Sequence, residues 1–286
     1  MPITFCNKIF NTPLLNSSGN WVSEDYQVRD LNSDQAVSGI VLKTCTLNAK
    51  EGKPWPNFVM KDYYAINNMG LPNNGFVYYS RMHEIYCNKP VILSIDGSIT
   101  TDVILMLKSY SDIISNIPRE HEQTGGIVEI NVSCPNLGNQ SKPIAISKRL
   151  LSEFLHQVFD QKFYTNLSIG LKLPPYFYEY KIKEIAEVIN YYPIKFITCS
   201  NTIPNALNMM PEVHGGLSGM MNKPIALANV KLFRKYLHPQ IEIIGCGGIE
   251  QAQDVSDYLQ CGAKLVQIGT GYIKNKNVFQ EIAAKL

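Results

Sequence analysis

Eight short runs of β-branched and apolar residues, spread through the chain and separated by longer amphipathic stretches, constrain this sequence more than any other feature. In order they are Pro13 to Ser18, Gly39 to Thr44, Pro90 to Ile95, Ile127 to Val132, Ser168 to Leu173, Lys195 to Ser200, Ile241 to Gly245 and Lys264 to Ile268. They are near-continuously apolar, the pattern of a parallel strand covered on both faces. Between them, Thr100 to Ile114, Ser147 to Phe159, Glu179 to Tyr191, Ile225 to Tyr236 and Gln251 to Gln260 repeat apolar residues at helical spacing. Eight βα units predict an α/β protein, a (β/α)8 TIM barrel formed by residues 1–286 as one domain, with its active site at the carboxyl ends of the strands. A doubly wound open sheet is the alternative. Against it, no GxGxxG fingerprint follows the first run and no composition shift marks a second domain.

Composition narrows the ligand. The net charge is +2, with 26 basic residues scattered along the chain, so no footprint for nucleic acid or an anionic membrane is expected. A small-molecule substrate fits instead. The seven cysteines show neither CxxC nor metal-type spacing, which fits a reducing compartment and no metal site. No apolar run is long enough to span a membrane, and a cytoplasmic location is expected. The terminal Ala284-Lys285-Leu286 resembles a variant of the peroxisomal Ser-Lys-Leu address, though an ordinary helix end reads the same way.

Polar residues collect where the eight runs end: Ser18 and Gly19, Lys43 and Thr44, Asn131, Lys172, Asn201 and Thr202, Gly247-Gly248 and Gly269-Thr270. Lys43 and Lys172 each interrupt an apolar run, and a buried ammonium is costly without an anionic partner. A structural ion pair would explain one of them; two at the same barrel end favour ligand recognition. Glycines after runs seven and eight, with Gly215-Gly216 and Gly219 before Lys223, suit the backbone N–H groups that bind phosphate in barrels. A phosphate-bearing cofactor is therefore expected. The connection from Cys45 to Tyr79 is long and carries Asn67-Asn68-Met69-Gly70-Leu71-Pro72-Asn73, read as a loop reaching over the barrel mouth. Asn131-Val132-Ser133-Cys134-Pro135-Asn136 places a thiol between two carboxamides just past the fourth run. Such a thiol could take a proton from a substrate held by those amides, or be a small buried hydrophobe.

These motifs resemble the soluble class 1A dihydroorotate dehydrogenases. The likeness is carried by Asn67 to Asn73, Asn131 to Asn136, Gly170 to Tyr176 (GLKLPPY), Lys223 to Val230 (KPIALANV) and Ile243 to Glu250 (IIGCGGIE). The resemblance implies FMN as cofactor and oxidation of (S)-dihydroorotate to orotate in UMP biosynthesis, with fumarate as electron acceptor and succinate as its product. It implies Cys134 as base for the C5 proton, with a hydride leaving C6. It implies that Lys43, Asn67, Met69, Gly70, Leu71, Asn131, Asn136, Asn201 and Thr202 hold orotate. FMN would contact Ser18, Gly19, Lys43, Thr44, Asn131, Lys172, Ser200, Gly219, Gly247, Gly248, Gly269 and Thr270.

The sequence also departs from the family. The segment between Asn201 and Gly219 is shorter than in relatives, which insert a dimer-forming β-hairpin there, and the chain ends at Leu286 without the usual tail; both weaken the expectation of a homodimer. Asn57 stands where arginine is common, and Lys142-Pro143-Ile144 replaces a stretch that usually carries glutamine, which bears on rate and lid closure. Two other readings are an FMN barrel reducing another pyrimidine and a non-catalytic flavin- or orotate-binding relative.

Overall fold

Each of the eight predicted runs forms a strand. In a computed structural model, which describes residues 2–19, 22–85, 88–118, 122–133, 143–162 and 165–286, they run Leu14–Asn16, Ile40–Val41, Val91–Asp96, Ile127–Asn131, Ser168–Leu173, Phe196–Cys199, Glu242–Cys246 and Leu265–Ile268. All are parallel, and neighbours in the sheet follow chain order, with the eighth strand beside the first. The predicted helices lie between strands at Thr100–Ser115, Lys148–Asp160, Glu179–Tyr191, Lys223–Tyr236 and Ala252–Gln260. This is the (β/α)8 arrangement.

The first and second strands close the barrel with little ladder between them, through a Leu15–Gly39 bridge. Beyond that bridge Asn16, 1% exposed, turns its carboxamide toward the second strand. Its Nδ2 donates to the Val41 carbonyl at 2.7 Å and its Oδ1 accepts from the Val41 N–H at 2.9 Å. One amide side chain thus reproduces the two hydrogen bonds of a strand neighbour.

Side chains alternate between the two faces of a strand, so residues two apart share the barrel interior. On that inner face the character changes along each strand. Ile92, Ile127, Phe196, Ile244 and Leu265 pack together near the amino ends with Phe5 and Phe10. The next inward residues are Ser94, Glu129, Thr198, Cys246 and Gln267, all buried. The lower layer is sealed by an amino-terminal hairpin, Ile3–Phe5 with Lys8–Phe10. Its rings meet edge to face, Phe5 lying 5.9 Å from Phe10 and 5.2 Å from Phe196. Two strand glycines make room for this plug: a Cβ at Gly39 or at Gly170 would lie 2.4 Å from the ring of Phe10 or Phe196 respectively. The outward faces remain apolar beneath the helices, forming the larger core that includes Val91, Val128, Leu171, Ile197 and Ile243.

Three expectations change. The Cys45 to Tyr79 connection is not an unstructured loop, since Phe58–Met60 and Ala65–Asn67 pair as strands. The 201–219 segment does not lack a hairpin. Ile203–Met209 and Glu212–Ser218 form one, and it adds to Ala65–Asn67 to make a four-stranded antiparallel sheet. Finally, short helices at Asp25–Ser33, Phe76–Ser80, Met82–Ile85, Thr270–Lys274 and Val278–Ala283 have no counterpart in the periodicity. The first is mostly polar and is started by Gln27, whose Oε1 accepts from the N–H groups of Ser23 and Glu24 at 2.9 and 3.0 Å. The Glu24-to-Gln27 spacing of that capping box was its only sequence signal.

Candidate active site

The upper, polar end of the barrel opens into one cavity, and every predicted site residue among the described ones lines it. The first strand delivers Ser18 and Gly19, the second Lys43 and Thr44, the fourth Asn131, the fifth Lys172 and the sixth Ser200 to Thr202. The seventh and eighth strands deliver Gly247-Gly248 and Gly269-Thr270. From the antiparallel sheet come Asn67, Met69, Gly70, Leu71 and Gly219. Cys134 and Asn136 lie outside the described residues, as does Lys142.

Lys172 sits at the centre of the floor, 4% exposed. Its Nζ lies 3.3 Å from each of Ser17 Oγ, Ser18 Oγ and Gln267 Oε1. A carboxylate absent from the predicted set, Glu129, stands 4.0 Å away. Glu129 is fully buried and accepts from Thr198 Oγ1 at 2.7 Å, Gln267 Nε2 at 2.8 Å and Ser94 Oγ at 3.4 Å. Lys172 therefore has an anionic neighbour within the protein, so its burial alone does not signal a ligand. Sequence reading missed Glu129, Gln267, Ser94 and Thr198 because a polar residue inside an apolar strand says nothing of its cross-barrel partner. The available signal was a charged residue two positions before Asn131 on the same strand face.

Above the floor the carboxamides are tied to one another. Asn131 Oδ1 accepts from Ser133 Oγ at 2.7 Å, and Ser133 Oγ accepts from Asn201 Nδ2 at 2.8 Å. Asn201 Oδ1 in turn accepts the Thr202 N–H at 2.8 Å. These contacts set which end of each amide faces the cavity, and so which hydrogen bonds it offers a ligand. From the antiparallel sheet, Asn67 donates to the Gly216 carbonyl at 3.4 Å. Neighbouring Asn68 donates to the His214 carbonyl at 2.8 Å and accepts from Lys53 at 2.7 Å, anchoring the segment to the hairpin.

The opposite wall suits a polar, phosphate-bearing group. Ser200 Oγ and Asn222 Oδ1, both buried in this wall, have no hydrogen-bond partner among the described residues. A buried polar atom is costly unpaired, so these two point to polar atoms of a ligand. Nearby, Gly248 has φ +64°, and a Cβ on it would lie 2.7 Å from Lys223 Cβ and 2.8 Å from the Gly219 carbonyl. Only glycine lets this turn pack so closely against Lys223 and Gly219. Lys223 itself is engaged, bonded to Asp254 and Asp257 at 2.6 Å each.

Three described cysteines near the barrel stay thiols at neutral pH. Burial pushes Cys45 up to about 12 and raises Cys199 and Cys246 as well. Among the described residues no cluster of His, Cys, Asp or Glu could hold a metal ion, and no helix is long and apolar enough to cross a membrane.

Asp96, ending the third strand, offers a pH test of the site's surroundings. Its Oδ2 accepts from Ser98 Oγ, while its Oδ1 has no partner among the described residues. Burial raises its pKa, against the lowering effect of Ser98 and Lys50. A carboxyl with a raised folded pKa contributes stability that is full below the unfolded value and lost as pH rises through the folded one. Asp96→Asn is thus expected to raise Tm at about pH 7, with the gain fading by about pH 3. Thermal unfolding of both proteins at the two pH values checks this; a lower Tm at neutral pH would contradict it.

Comparison with known proteins agrees with this geometry. A model of the dihydroorotate dehydrogenase family matches residues 1–286. The dihydroorotate dehydrogenase A (fumarate) of Lactococcus lactis subsp. cremoris (strain MG1363) is 35% identical, over 99% of this chain and 92% of its own length. That of Lactococcus lactis subsp. lactis (strain IL1403) is 36% identical over the same shares. A putative dihydroorotate dehydrogenase A (fumarate) of Streptococcus agalactiae serotype III (strain NEM316) is 34% identical, over 97% of this chain and 89% of its own length. A crystal structure of DHODH in complex with ferulenol from Eimeria tenella superimposes with a TM-score of 0.79 at 17% identity, covering 99% of this chain and 82% of that one. That last likeness speaks for the fold. The chain belongs to the dihydroorotate dehydrogenase family, in its fumarate-dependent class 1A branch.

Proposed function

We propose that this protein oxidises (S)-dihydroorotate to orotate in pyrimidine biosynthesis, using FMN and passing the electrons to fumarate. The observation that carries the reading is the meeting, in one cavity, of Lys43 and Lys172, the carboxamides of Asn67, Asn131 and Asn201, and the glycine loops of the last two strands. The unpartnered Ser200 Oγ fits a flavin phosphate or ribityl hydroxyl, and the Asn222 Oδ1 acceptor fits a ribityl hydroxyl. Ser18, Gly19, Lys43, Thr44, Asn131, Lys172, Ser200, Gly219, Gly247, Gly248, Gly269 and Thr270 would hold FMN. Bound there, FMN supplies the hydride acceptor.

The protein's own groups do the rest. Asn67, Asn131, Asn136 and Asn201, with Thr202 and the backbone of Met69 to Leu71, match the donors and acceptors of a pyrimidine ring. The Lys43 ammonium offsets the carboxylate of orotate. Cys134, by its resemblance to the class 1A base, takes the C5 proton as a thiolate, and a thiol needs only modest lowering from roughly 8.5 to work near neutrality. Holding the ring while its carboxylate is fixed converts proton and hydride removal into steps within one complex.

The purified protein is expected to be yellow, to lose its flavin absorbance under anaerobic dihydroorotate and to recover it on adding fumarate. A bound flavin that dihydroorotate does not bleach would refute the activity. Bleaching by dihydroorotate without recovery by fumarate would refute only the acceptor.

A further inference from the structure

Seven of the eight barrel strands contribute to one buried ring of hydrogen bonds under the cavity. Ser18 Oγ lies 3.2 Å from Thr44 Oγ1, and Thr44 Oγ1 lies 2.9 Å from Ser94 Oγ. Ser94 continues to Glu129, Glu129 to Thr198 and Gln267, Gln267 to Lys172, and Lys172 back to Ser18. Two formal charges sit in this ring, and they do not make a close pair. Charge-assisted N–H···O bonds run at about 2.7–2.9 Å, yet Glu129 Oε1 is 4.0 Å from Lys172 Nζ, while Oε2 spends its shortest bonds on neutral donors. Lys172 in turn has three oxygens, all at 3.3 Å. Here dipoles hold each charge separately, with the ammonium on the cavity floor and the carboxylate beneath it.

We propose that the buried Glu129 carboxylate, by opposing the field of Lys172, sets how strongly the cavity floor favours a reduced, negatively charged flavin. This rests on the flavin reading of the cavity. Two charges about 4 Å apart away from water interact strongly, so the carboxylate offsets much of the field that Lys172 projects upward. Removing the negative charge makes the floor more positive. The oxidised isoalloxazine is neutral and the reduced one is an anion, so only the reduced form gains. Glu129 thereby keeps the flavin potential low enough for electrons to pass on to the second substrate.

The test is the midpoint potential of the bound flavin, measured by anaerobic titration against reference dyes. Glu129→Gln is expected to shift the reduction equilibrium at least tenfold toward the reduced form, about 30 mV upward for a two-electron couple. Glu129→Asp, which keeps the charge, is expected to stay near the native value. Lys172→Met is expected to lower the potential, and the Glu129→Gln/Lys172→Met double variant to lie above Lys172→Met alone, since it removes an unopposed carboxylate. That second comparison stands even where Glu129→Gln alone does not fold, because the double variant leaves no buried charge unpaired. An unchanged or lower potential in Glu129→Gln, or equal potentials in Lys172→Met and the double variant, would overturn the proposal. A native protein that binds no flavin would overturn both this and the reading it rests on.

Discussion

Cys134→Ala is expected to bind flavin as the native protein does and to be reduced by dihydroorotate about 10²–10⁴-fold more slowly, the usual contribution of a positioned general base. The argument starts from residue type. Taking a proton from carbon near neutrality needs a base whose pKa lies close to the working pH, and a cysteine meets that condition with less adjustment than serine, lysine or a carboxylate. The role itself comes from the resemblance of Asn131 to Asn136 to the class 1A motif. Cys246 lines the same cavity, but burial raises its pKa, and Cys45 and Cys199 are raised too. None of these supplies a thiolate at neutral pH. Stopped-flow reduction, followed at the flavin absorbance, separates the steps. In the native protein the rate should rise with pH as the thiolate forms. Cys134→Ser should need a higher pH for the same rate, because an alcohol ionises far less readily than a thiol. An alanine variant reduced as fast as native, with the same pH profile, would remove Cys134 from the proton step while leaving the flavin assignment standing.

The second large effect concerns stability. Asn16→Ala is expected to cost about 3 kcal/mol, because it strands a buried N–H and a buried C=O of Val41, each worth about 1–3 kcal/mol when left unpaired. The Val41 N–H and C=O point away from the third strand, which instead serves Ile40 and Leu42 through Pro90 and Ile92. Asn16 supplies the partners on the closing side. Urea unfolding of native and variant proteins measures the difference. The midpoint should fall with little change in slope, since the unfolded chain is unaltered. A loss under about 0.5 kcal/mol, within the range of ordinary surface substitutions, would mean that the seam closes without this carboxamide. The same seam lies beside Ser17 and Ser18, which touch Lys172, so a weakened closure is also expected to loosen cofactor binding.

Much of this was legible in advance, and the reason is local. A parallel strand buried on both faces is mostly apolar and an amphipathic helix repeats apolar residues at helical spacing, so Ser168–Leu173 and Glu179–Tyr191 are read from sequence with their observed limits. A polar residue at or just past the carboxyl end of such a run faces the barrel mouth, so Lys43, Asn131, Lys172 and Asn201 were identifiable without knowing the barrel's geometry. The pairing of Phe58–Met60 and Ala65–Asn67 was not, because strands this short carry no period. Nor was the hairpin at 203–218, whose polar faces alternate too weakly to stand out against turn-forming residues.

What the sequence by itself determined is the number and order of the βα units and the chemical types waiting at their ends. Those follow from hydrophobic period and punctuation, which are properties of neighbouring residues. The tertiary structure alone decided which buried charge meets which. Gln267 reaches Glu129 across 138 positions of chain, and Asn16 reaches Val41 across a seam that no local pattern marks. The barrel's stagger places those groups side by side, and stagger depends on how all eight strands close together. It turned Lys172 from a lone buried cation into one arm of a charged ring, and it brought the carboxamides of the fourth and sixth strands into one wall.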